Sequence, residues 1–127
     1  MFENTNTKTE QGDIGEARAI YEYTKLGYNV SIPLSNGLKY DLIVDINNKL
    51  FKVQCKTTKY IAKKSYVVTL KTSGGNKSSY SIRNRKYEDY DILFVLTADN
   101  ICYSIPSLDF DAKTTLTLNS TKDKYII

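Results

Sequence analysis

The chain has 127 residues, 41% hydrophobic and 25% charged, with a formal net charge of +4; that is enough to bury one core and too little to divide comfortably in two. One domain over 1–127 is expected, and no stretch approaches the ~20 apolar residues a membrane helix needs. With no histidine and only two cysteines, Cys55 and Cys102, the composition excludes Ser-His-Asp and Cys-His catalysis, imidazole-based nucleases and a structural zinc site.

Residues 1–10 are polar, with Glu3, Lys8 and Glu10, and read as a frayed end rather than a signal or transit peptide. The expected address is intracellular, cytoplasmic or nucleoid-associated. Over 12–26, Ile14, Ala17, Ile20, Tyr21 and Thr24 recur at helical spacing, Asp13 and Glu16 occupy the first turn, and Gly27 follows the end. This predicts an amphipathic helix with a glycine C-cap. A short strand is expected over 28–33, then a turn at Ser35-Asn36-Gly37.

Segments 40–46 and 49–57 read as strands joined by Asn47-Asn48, which suits a tight hairpin. A two-residue loop sets Ile46 against Lys49, Val44 against Phe51, Leu42 against Val53 and, one step further, Asp41 against Gln54. Alternation then puts Lys52, Gln54 and Lys56 on one face with Asp41, and Phe51, Val53 and Cys55 on the other. Further along, 66–70 predicts a strand and Ser73-Gly74-Gly75-Asn76 an exposed, flexible loop. The apolar run Ile92 to Leu96 predicts a central strand covered on both faces. Asp99-Asn100 turns into a strand over 101–105, 106–110 allows one helical turn, and 114–127 reads as a strand with an irregular end. The fold class expected is α/β, a mixed sheet of four or five strands flanked by helices.

Charge is unevenly placed. No acidic residue lies between Asp45 and Glu88, whereas that stretch holds 11 of the 18 basic residues: Lys49, Lys52, Lys56, Lys59, Lys63, Lys64, Lys71, Lys77, Arg83, Arg85 and Lys86. A solvated lysine face would look like this, but an uninterrupted basic half fits a polyanion partner better. From Lys59 onwards these residues, excluding none, are candidate DNA contacts, together with Thr57 and Thr58.

The polar face carries the chemistry. Hydrolysis of a phosphodiester calls for an activated water and charge neutralisation at phosphorus, which a divalent ion held by oxygen ligands provides. Asp41 can hold such an ion, with the Gln54 amide oxygen and the Cys55 backbone carbonyl as neutral ligands. Lys56 would stabilise the attacking hydroxide or the pentavalent phosphate. Each has a plainer reading too: Asp41 as the residue that opens a strand, Gln54 and Lys56 as solvated strand residues, and Glu16 as an anion favoured by the helix dipole.

The series Gly12-Asp13-Ile14-Gly15-Glu16-Ala17, Tyr40-Asp41-Leu42-Ile43-Val44 and Val53-Gln54-Cys55-Lys56-Thr57 resembles the PD-(D/E)xK nucleases, most closely the group I intron-associated homing endonucleases. The resemblance covers 12–58, with weaker similarity through 91–106. It implies a restriction-endonuclease-like core, Glu16 as the helix carboxylate that helps the metal site, Asp41 as the central metal ligand, Gln54 at the position usually Glu or Asp, and Lys56 as the motif lysine. It also implies Mg²⁺, with Mn²⁺ as the alternative ion, double-stranded or branched DNA as substrate, and a homodimer or homotetramer. No proline directly precedes Asp41, and Gln54 removes one negative charge, which lowers metal affinity; the intron-associated group is similar in using glutamine there. The rival readings are a Holliday junction resolvase or restriction-type nuclease on the same core, or a DNA-binding module that has lost catalysis.

Overall fold

The computed structural model describes residue 2 and residues 7–76 and 79–127, with 72–76 and 79–83 described by their backbone. Helix α1 (Lys8–Lys25) leads into β1 (Asn29–Ser31), β2 (Leu42–Ile46) and β3 (Lys49–Thr58). Then come β4 (Ile61–Ala62), β5 (Ser65–Thr69), β6 (Thr72–Asn76) and β7 (Ser79–Arg83), a 3-10 turn at Tyr87–Asp89, and β8 (Ile92–Thr97). After β9 (Cys102–Pro106), a 3-10 turn at Ser107–Asp109, β10 (Thr115–Leu118) and a last 3-10 segment, Ser120–Tyr125, complete the chain.

The helix begins four residues before the expected start. Thr7 is its N-cap, its side chain accepting the Glu10 N–H at 3.1 Å, so Lys8 to Glu10 are helical rather than frayed, and Phe2 is buried in the core. The spacing of Thr7 and Glu10 is that of a capping box, the signal an expected start at Gly12 overlooks. At the other end Gly27 adopts φ 89°, its N–H donating to Thr24 while that of Tyr28 donates to Tyr23. This Schellman pattern needs the glycine.

The buried stripe of α1 is turned by about one residue from the expected one. Gly15, Ala19 and Tyr23 face inward, while Ala17, Tyr21 and Thr24 are exposed. Small residues let the helix lie close to the sheet, and that outweighs the pull of the larger apolar side chains. Glu22 is buried as well, paired with Arg18 at 2.9 Å and Lys25 at 3.3 Å.

The main sheet has the order β1-β2-β3-β8-β9. It is mixed: β3 pairs parallel with β8, from Val53↔Ile92 to Thr58↔Thr97, and the other pairings are antiparallel. The β2–β3 hairpin has the expected register, Ile46↔Lys49 through Leu42↔Val53, and Asn47 and Asn48 adopt φ 53° and 67°, as a type I′ turn requires. Strand β8 is central, and it feeds two cores. Phe94 and Leu96 meet α1 through Tyr23 and Ala19, with Leu42, Val44 and Val53 beside them. Leu93 and Val95 face Val68, Leu116 and Leu118 of a second sheet, β10-β5-β4, and Leu70 just past β5. Among the described residues α1 is the only α-helix, so one flank of the main sheet is helical and the other is a small sheet. No helix among them is long and apolar enough to cross a membrane.

Ser73 to Asn76, expected as a flexible loop, instead belong to β6, which pairs antiparallel with β7 from Thr72↔Arg83 to Asn76↔Ser79. Glycine and serine carry little strand propensity, so the pairing of the two segments is not signalled by composition.

Candidate active site

The site forms where β2 begins and β3 approaches its end. The ladder stops at Leu42↔Val53, so Asp41 does not continue it opposite Gln54 as the register alone implies. Instead the Asp41 N–H donates to the Val53 carbonyl at 2.8 Å, a bulge-like break, and its carboxylate Oδ2 accepts the Cys55 N–H at 2.8 Å.

Asp41 therefore lies at the sheet end within electrostatic reach of groups from both faces. Burial raises its pKa, while the Cys55 N–H and the Lys56 charge pull it down; burial prevails. Lys56 is half-buried on the Gln54 face of β3; burial lowers its pKa and Asp41 opposes that shift. Its Nζ reaches the Lys71 carbonyl at 3.4 Å. Glu16 comes from α1, half-buried, its pKa raised by burial, then by Asp41 and Asp13. The carboxylates of Glu16 and Asp41 thus repel each other, and both residues line one recess of about 160 Å³, walled by Pro33, Ser35, Gly37 and Tyr40.

These oxygens suit a hard divalent cation, which would relieve the repulsion. Among the described residues no three His, Cys, Asp or Glu side chains gather as ligands, so two carboxylates would need neutral oxygens beside them. Gln54 is half-buried on β3, one residue past the last pair with β2. The Cys55 thiol is packed against the α1 core, and burial holds it well above the usual thiol range, which leaves only its backbone for ligation.

On the other side of Lys56 a cleft of about 580 Å³ opens, lined by Lys8 and Gln11 of α1, Lys56, Lys59 and Tyr60 along β3 and its end, and Thr69 of β5. A frayed 1–10 would leave Lys8 outside the cleft; the Thr7–Glu10 capping spacing is the signal that places it on α1.

The expected DNA contacts divide. Lys59, Lys63, Lys64, Lys71 and Lys86 are exposed, Lys63 and Lys64 in the turn between β4 and β5 with φ 51° and 70°. Lys77 and the Arg83 side chain lie outside the described residues.

Two, Thr58 and Arg85, are corrected by their burial. Thr58 is buried, its hydroxyl donating to the Val67 carbonyl at 2.6 Å and accepting the Tyr60 N–H at 3.2 Å. Thr57 is half-buried in the wall of the cleft beside Lys56, its hydroxyl accepting from Gln11 Nε2 at 2.8 Å. Arg85 is buried, with 3% of its surface exposed. Its guanidinium donates to the carbonyls of Phe110 at 3.1 Å and Ala112 at 3.0 Å and to the Ser107 hydroxyl at 2.5 Å, and it lies 3.8 Å from the Phe110 ring centroid. Position in a basic run did not distinguish a structural arginine from a solvated one.

The fold has counterparts among known proteins. The solved structure of a bacterial homing endonuclease, I-Ssp6803I, matches with a TM-score of 0.73 and 25% identity, over 94% of this chain and 82% of that one. Protein 5.3 of Escherichia phage T7 is 30% identical over 97 residues, which span 76% of this chain and 78% of that protein. The family model described as PD-(D/E)XK endonuclease matches residues 5–125, and with the mixed sheet and its strand-end carboxylate in place, the chain belongs to that family and is a nuclease.

Proposed function

We propose that this nuclease is a divalent-metal-dependent endodeoxyribonuclease that uses Mg²⁺ or Mn²⁺ to hydrolyse phosphodiesters of double-stranded DNA, in the homing manner of site-specific double-strand cleavage. The observation that carries the reading is the recess shared by Glu16 and Asp41, with Lys56 electrostatically coupled to Asp41. The carboxylates of Asp41 and Glu16, the Gln54 amide oxygen and the Cys55 carbonyl would hold the ion. When bound, it neutralises the scissile phosphate and acidifies an attacking water.

Lys56 donates hydrogen bonds to a non-bridging phosphate oxygen as negative charge grows there, in a partly desolvated place where such contacts are strong. Lys8 and Lys59 supply phosphate contacts along the cleft that adjoins Lys56, the exposed Lys63, Lys64, Lys71 and Lys86 extend the basic surface, and Lys77 and Arg83 add their charge to the attraction for DNA. One chain carries one site, so cutting both strands takes at least two copies, and a two-fold dimer or a tetramer fits a palindromic target.

The test is incubation of purified protein with supercoiled plasmid and Mg²⁺ or Mn²⁺. Linear product that disappears in Asp41→Ala and Lys56→Ala supports the reading. Tight DNA binding with no cleavage in either ion would show a binding module instead, and preferential cutting of four-way junctions would show a resolvase.

A further inference from the structure

The two glycines inside α1 differ sharply in their surroundings. A Cβ at Gly12 would meet nothing within 4 Å, whereas one at Gly15 would lie 2.6 Å from Thr57 Cγ2, closer than carbon atoms can approach. Neither side of the contact has room to give. The Thr57 rotamer is tied by its hydroxyl to Gln11 Nε2 at 2.8 Å, and its backbone is held in the parallel pairing of β3 with β8, opposite Leu96. A methyl group at Gly15 would therefore lift the helix rather than move the strand. The next residue on that helix is Glu16.

We propose that Gly15 and Thr57 are positioning residues, the bare Cα of Gly15 seated on the Thr57 methyl fixing the spacing across which Glu16 and Asp41 hold one cation. This rests on the reading of the preceding subsection. Lifting α1 by most of an ångström carries the Glu16 carboxylate away from Asp41, and misplacement of about 1 Å is enough to cost about 100-fold in rate. Moving the methyl from Thr57 to position 15, as in Gly15→Ala/Thr57→Ser, relieves the clash and keeps the hydroxyl that Gln11 holds.

The full chain and its variants would be compared by calorimetric titration with Mn²⁺ alone, by kcat and KM on plasmid in Mg²⁺, and by thermal melting. Gly15→Ala is expected to weaken Mn²⁺ binding about 10-fold and to lower kcat about 100-fold, with KM within about threefold. Gly15→Ala/Thr57→Ser is expected to recover both. Ala17→Gly, at an exposed position of the same helix, lowers the melting temperature through helix propensity alone and should leave both readouts unchanged.

If Gly15→Ala does not fold, Thr57→Ser carries the test. It removes the methyl on which the helix rests and should weaken Mn²⁺ about threefold, a loss the double variant restores. Equal Mn²⁺ affinity in wild type, Gly15→Ala and Thr57→Ser overturns the proposal, as does a double variant that recovers melting temperature but not metal binding. A wild-type chain that neither binds Mn²⁺ nor cuts DNA overturns this and the metal-nuclease reading together; one that does both, with Gly15→Ala indistinguishable, overturns the positioning role alone.

Discussion

The Asp41 carboxylate accepts the Cys55 N–H where continued β2–β3 pairing would have offered the Tyr40 carbonyl instead. A side chain has replaced a main-chain acceptor, so the residue that ends the ladder is also the one that faces the recess.

That dual role separates two substitutions. Asp41→Asn keeps an oxygen for Cys55 and removes the charge, so it should melt within about 2 °C of wild type, since the lost term is not structural, while cleavage falls at least about 100-fold. Asp41→Ala leaves the Cys55 N–H without its partner and should lose about 1–3 kcal/mol of stability as well. Chemical denaturation beside a cleavage assay checks both; equal stability of the two variants would count against the bond.

Lys56→Met keeps the length of the side chain and discards its charge. Single-turnover cleavage should slow about 10²–10³-fold while DNA affinity in Ca²⁺ changes little. An unchanged rate would remove Lys56 from the chemistry.

Gln54→Glu adds a carboxylate to the face that carries Lys56. Mn²⁺ binding measured by calorimetry should tighten, and the melting temperature without metal should fall slightly from added repulsion with Asp41. No change in metal affinity would argue against Gln54 as a ligand.

Arg85 and Lys59 share a basic run but should behave oppositely. Arg85→Met strands buried carbonyls and is expected to cost about 2–4 kcal/mol in denaturant unfolding. Lys59→Ala should leave stability intact and flatten the salt dependence of DNA binding by about one counterion. Loss of DNA affinity in a stable Arg85→Met protein would contradict this division.

Glu22 gives the fold a pH dependence of its own. Burial works to raise its pKa, but hydrogen bonds from Arg18 and Lys25 overcome that and hold it below the usual carboxylate value. A depressed folded pKa means the stabilisation is complete above the unfolded value of about 4.3 and is lost as pH falls through the folded value. Wild type should therefore lose melting temperature below about pH 4 more steeply than Glu22→Gln. Parallel acid transitions for the two proteins would rule the pair out as a source of acid sensitivity.

Much of this was legible in the residues. Asn47-Asn48 set the hairpin register, since a one-residue slip would take Val53 off the face of Leu42 and Val44, and the run Ile92 to Leu96 announced a strand buried on both sides. The helix face was misread because periodicity weights large apolar side chains, whereas contact with β3 selects for the smallest residue, Gly15. Asp41 was placed correctly at a strand beginning, but not its turn toward Cys55, since a break in a ladder leaves no mark in side-chain alternation. Arg85 looked like a phosphate contact because its partners, the carbonyls near Ser107 to Ala112, are far away in sequence.

The parallel pairing of β3 with β8 also sets an order of assembly. Asp41 and Cys55 belong to one contiguous hairpin, whereas Val53 and Ile92 are brought together only by closing a long intervening segment. Local contacts form faster than distant ones. A nascent chain released only as far as residue 60 would already carry Glu16, Asp41, Gln54 and Lys56, yet lack the strand that pairs with β3 from Val53 to Thr58.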